Sequence, residues 1–104
     1  MTTRLLIEPE AEAELEQAAD RYDESVPGLG LEFLVEMRQR TRQVLEAPHR
    51  FPPFGRVDGV QCAHAVRRFP HLVIYMLIGD TVHVLAYMHP RQRPGYWAGR
   101  VPGR

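Results

Sequence analysis

The apolar residues of this chain change their period once, across the segment PHRFPPFGRVDG (Pro48 to Gly59). Before it they recur every three or four positions, the period of a helix face; after it they alternate or run continuously, as in strands. A single switch divides the chain into a helical half followed by a strand half, which constrains the fold to α+β. In the first half, Ala11, Leu15, Ala18, Tyr22 and Val26 mark one amphipathic helix over 9–25. Pro9 suits its first turn, and Glu8, Glu10, Glu12 and Glu14 suit the positive end of its dipole. VPGLG (Val26 to Gly30) breaks that helix. Leu31, Leu34, Arg38, Thr41 and Leu45 mark a second, with Phe33, Met37 and Val44 beside the stripe, running to about Ala47 where Pro48 stops it. Two helices across so short a turn form an antiparallel hairpin, and their apolar residues are expected in the core.

The second half predicts strands over 61–68, 71–78 and 81–88, the last two joined by the two-residue turn Gly79-Asp80. The middle strand is apolar almost throughout and is expected at the centre of the sheet. In the last strand Val82, Val84, Ala86 and Met88 share one parity and are expected under the helices. Thr81, His83, Leu85, Tyr87 and His89 share the other and are expected on a more open face. RLLI (Arg4 to Ile7) reads as an extra strand beside the others. The expectation is one domain over 1–104, a helical hairpin packed on one face of a small antiparallel sheet.

An apolar share of 44% is too high for a disordered chain. One cysteine, Cys62, excludes an internal disulfide. The longest apolar run, Leu72 to Ile78, has seven residues and cannot span a bilayer, and the N-terminus has no signal-peptide pattern, so a cytoplasmic protein is expected. Net charge is zero but divided: 11 acidic and 5 Arg residues lie in 1–46, against 2 acidic and 8 Arg residues in 47–104. The chain has no Lys. A polar molecule with one basic end is implied.

Residues with chemical potential gather near the strand ends. Arg67 and Arg68 end a strand and suit phosphate or carboxylate, or merely a solvated strand end. His83 and His89 lie about 20 Å apart along a straight strand, too far to share one ion, and no metal site or cofactor is expected. The segment HPRQRPGYW places Arg91 and Arg93 before Tyr96 and Trp97, a combination suited to nucleic acid or to a protein interface. Trp97 also suits a structural role, tucking the tail onto the core. With only Asp58 and Asp80 after residue 46, a paired-carboxylate hydrolase is disfavoured.

The order of AEAELEQAADRYDE, LEAPHRFPPFG and VRRFPHLVIYMLIGDTVHVLAYMHPRQRPGYW resembles the RelE/ParE superfamily of toxins from type II toxin–antitoxin systems, over nearly the whole chain. The resemblance implies the hairpin-on-sheet fold and a cognate antitoxin as partner. It implies one of two activities: metal-independent cleavage of mRNA on the ribosome, as in RelE-like members, or inhibition of DNA gyrase, as in ParE-like members. On the ribonuclease pattern, an Arg after the last strand falls at Arg91, a basic residue before the central strand at His71, and a terminal Tyr at Trp97 with Tyr96 adjacent. The candidate catalytic set on that pattern is His71, His89, Arg91 and Tyr96. The lysine pair of ribonuclease members has no counterpart, Arg50 and Arg56 being nearest. Zero net charge also suits a ribosomal RNA target poorly. Both departures lean toward the ParE-like side, with gyrase or another protein as target; a non-toxic interaction module is the third reading. The expected target-binding surface is Arg67 or Arg68 with His89, Arg91, Arg93, Tyr96 and Trp97.

Overall fold

The computed structural model describes residues 3–65 and 68–103, so the expectation for Arg67 lies outside the described residues. Strand β1 (Arg4–Ile7) leads into helices α1 (Pro9–Ser25) and α2 (Leu29–Glu46). Strands β2 (Val60–His64), β3 (Leu72–Ile78) and β4 (Thr81–Met88) follow, and one 3-10 turn (Ala98–Arg100) closes the chain. The sheet order is β1-β4-β3-β2. Strands β2, β3 and β4 are antiparallel neighbours, as expected. β1 joins the outer edge of β4 in parallel, from Arg4 opposite Thr81 to Ile7 opposite Val84. A parallel pair needs a long crossover, and here both helices and two strands lie between the partners.

The helices form where period and punctuation place them. Pro9 occupies the first turn of α1. Gly28, at φ +89°, turns the chain into α2 in a conformation that other residues avoid. The two helices then approach closely at Gly30, where a Cβ would stand 2.3 Å from the Ala19 carbonyl oxygen. The Gly30 N–H donates to Asp23 Oδ1 at 2.8 Å, tying the two helices together. The buried stripe of α2 is Gly30, Phe33, Met37, Thr41 and Val44. It is rotated from the expected one: Leu31 is 66% exposed and Arg38 reaches out to Glu12 at 2.6 Å. A helix that packs on α1 and on the sheet at once buries the residues between those two directions, which here are the flanking ones.

The last strand departs from simple alternation. Ile74 pairs with Ala86 and Tyr75 with Val84, so Leu85 is an extra residue in β4. Such a bulge reverses the faces of everything beyond it. Val82 and Val84 pack under the helices as expected; beyond the bulge Tyr87 does so, its hydroxyl 2.8 Å from that of Thr41. Ala86 and Met88 lie instead in the opposite core with Leu85, and His89 turns to the helix side beside His71. Nor is the second face open. Val60, Cys62, Leu72 and Ile74 are covered there by Trp97 and Val101 from the tail and by Phe54 and Val57 from the long loop. β2 ends at His64, four residues before the predicted end, and Arg68 lies in the connection to β3.

Candidate functional site

β1 reaches only as far as Val84, so beyond the bulge the outer edge of β4 has no strand beside it. Side chains take over its backbone groups, as buried polar groups require. Glu14, from α1, accepts the Tyr87 N–H at 3.2 Å. Arg100, from the tail, donates to the Leu85 carbonyl at 3.0 Å and to Glu14 at 3.0 Å. The Glu14 and Arg100 side chains are each only 17% exposed, so this ion pair is poorly screened. The His89 N–H donates to Gln92 Oε1 at 2.8 Å, and the Arg100 guanidinium lies over the Tyr96 ring at 5.1 Å. Burial, then Glu14, pushes the Tyr96 hydroxyl pKa up. The tail is thereby fastened to the exposed strand edge and to α1.

Beside this fastening the two helix-side histidines meet. His71 is 3% exposed, and its ring stands nearly perpendicular to that of His89 with centroids 5.1 Å apart. Phe33 packs on the His71 ring at 4.7 Å. Burial lowers the His71 pKa to about 4, and the charges of His89 and Arg21 add to that. His71 is thus a neutral imidazole at pH 7. The Arg91 N–H donates to His89 Nδ1 at 3.0 Å, which leaves Nε2 as the ring nitrogen available to donate. A groove of about 420 Å³ opens over the pair, lined by Glu14, Arg21, His71, His89, Arg91 and Gln92. Imidazoles beside two arginines can bind an anion or pass a proton.

Of the residues that the sequence singled out, His71, His89 and Arg91 come together in the groove, and Tyr96 lies next to it through Gln92, 3.4 Å from its hydroxyl. Arg93 is exposed on the same tail. Trp97 is not part of an exposed surface: it is 1% exposed, against Phe54 at 6.2 Å and the bare backbone of Gly55. Arg68 is also elsewhere. It is ion-paired with Glu32 of α2, lies over the Phe69 ring at 5.6 Å, and borders a separate groove with Leu31 and Val35. His83 falls before the bulge and His89 after it, so their side chains point to opposite faces. Among the described residues no three His, Cys, Asp or Glu side chains could hold a metal ion, and no helix is long and apolar enough to cross a membrane. Arg21 was not singled out in the sequence. Its signal there is being the one basic residue in a helix with seven carboxylates.

The fold is of the class that the sequence resemblance implied, a helical hairpin on a small sheet as in ParE-like proteins. It matches a chain of the solved "Chromosomal ParDE TA system from P. aeruginosa" with a TM-score of 0.74, over 85% of this chain and 96% of that one, at 17% identity. No protein-family model matches the sequence, and no curated protein matches it.

Proposed function

We propose that the chain is the toxin of a type II toxin–antitoxin pair, acting in the cytoplasm on a protein target in the ParE-like manner, DNA gyrase or another, and silenced by a cognate antitoxin. The observation that carries this reading is the fold likeness to a ParDE-system chain, which extends over 96% of that chain. Fold alone does not fix chemistry, but the electrostatics of the groove lean the same way. One wall is α1, which sets Glu14 in the groove and carries six further carboxylates along the helix against a single Arg, a field that repels a polyanion such as mRNA.

A second reading, metal-independent cleavage of mRNA on the ribosome, is favoured by the contact between His71 and His89 beside Arg91. There His71 or His89 moves a proton, Arg91 steadies the phosphate and Tyr96 stacks on a base. Induction of the gene in a bacterial host, with and without its neighbouring open reading frame, separates the readings. A DNA-damage response that the neighbour suppresses is the expected result. Translation arrest with cut mRNA would replace it by the ribonuclease reading, and unaffected growth would leave a non-toxic interaction module.

A further inference from the structure

The groove over the two histidines gathers two arginines and two imidazoles, and one of the imidazoles has a buried nitrogen that lacks a partner. Arg21 reaches it from α1, His71 from the entry to β3, His89 from the end of β4 and Arg91 from the tail. His71 is 97% buried, yet its Nδ1 has no hydrogen-bond partner among the described residues. A buried imidazole nitrogen is usually paired. The one carboxylate lining the groove, Glu14, is engaged by Arg100 and by the Tyr87 N–H. The groove therefore combines two arginines and two imidazoles with no uncommitted counter-charge of its own, which is the composition of an anion site.

We infer that this groove binds a single carboxylate presented by a protein partner, held between Arg21 and Arg91 over the His71–His89 pair. A lone carboxylate fits better than a nucleic-acid backbone because the α1 wall is acidic. One negative group can enter between the two arginines, whereas a chain of phosphates must also pass Glu14 and the carboxylates that α1 carries beyond the groove. The same wall favours basic or neutral residues on either side of the entering carboxylate. The inference deepens the toxin reading and rests on it in one respect, that the antitoxin supplies the carboxylate. The carboxylate site itself stands on the groove.

The test uses the purified full chain and the imidazole NMR signals of His71 and His89. The probe is an end-blocked peptide with one glutamate between lysines. Its glutamine counterpart, the glutamine peptide with a free C-terminus and a short oligoadenylate complete the set. The glutamate peptide is expected to move both histidine signals saturably and to bind at least tenfold more tightly than the blocked glutamine peptide. Tight binding of the free-C-terminus peptide supports the site and assigns the carboxylate to a chain end. Arg21→Ala and Arg91→Ala each weaken binding severalfold, and because both arginines are exposed the remaining signals stay in place. Unmoved histidine signals, equal binding of the glutamate and blocked glutamine peptides, or tighter binding of oligoadenylate overturns the inference. The toxin reading is judged separately: peptide binding by a chain that never arrests growth refutes that reading and leaves the site standing, and growth arrest without peptide binding does the reverse.

Discussion

The two faces of the sheet are covered in different ways. On one, α1 and α2 lay Ala11, Leu15, Phe33 and Met37 over Val73, Tyr75, Val82 and Val84. Each helix satisfies its own backbone and brings its apolar residues at a fixed spacing. On the other, the cover is irregular chain: Trp97 and Val101 from the tail, Phe54 and Val57 from the loop before β2. A regular cover spreads its stabilisation over many side chains. An irregular one concentrates it on a single large anchor, and it leaves the chain leading to that anchor free to carry other groups. His89, Arg91 and Arg93 sit on that lead-in, between the last strand and Trp97.

The largest test of this contrast is Trp97→Ala. Loss of a fully buried Trp is expected to cost about 3–5 kcal/mol, read as a lowered denaturation midpoint. A cost under about 1 kcal/mol would show that the tail is not what closes the second core. Next comes pH. The folded chain holds His71 near pKa 4, against an ordinary value of 6.5, through burial first and then His89 and Arg21. The unfolded chain therefore binds a proton in that window that the folded chain does not. The His71 contribution is complete above pH 6.5 and is lost as pH falls toward 4, about 3 kcal/mol in all. Urea unfolding at pH 7 and 4.5 is expected to show a smaller acid loss for His71→Gln than for the natural chain; equal losses would place the imidazole in water.

Gly30→Ala probes the helical cover. A methyl group meeting the Ala19 carbonyl must push the helices apart, at about 1–3 kcal/mol. A neutral result in thermal melts would mean that the hairpin yields without loss. The smallest stability effect belongs to Arg91→Ala, within about ±0.5 kcal/mol for an exposed side chain. On the toxin reading it nevertheless abolishes growth inhibition. A fully toxic Arg91→Ala, or one silenced by unfolding, would remove the lead-in segment from the working surface.

What could be read in the sequence follows the same division. Both helices, the turn between them and the Gly79-Asp80 hairpin are local consequences of spacing and of Pro and Gly, and they stand where the sequence places them. The faces of β4 were legible only as far as Val84. From Leu85 to Met88 every residue is apolar, so no alternation marks the extra one, and His89 was accordingly placed on the wrong face. His71, His89 and Arg91 were found from residue type and position near the strand ends. Arg21 was not, because only the packing of α1 across the sheet brings it to them. Trp97 was legible in type but not in role, since a Trp after an Arg-rich segment suits an interface and a core equally.

The parallel pairing of β1 with β4 also sets a clock. The first strand has no neighbour until residues 81–84 exist, so during synthesis it waits for about 77 residues to follow, roughly 4 to 15 s at ordinary elongation rates. About halfway through that interval the helical hairpin is complete, and until β4 exists its apolar stripe has no finished sheet beneath it and the edge that β1 will occupy is unmade. β1, made before the other strands of its sheet, is thus one of the last to be locked in place. Until then the nascent chain presents an unsheltered apolar surface to whatever else is being made nearby.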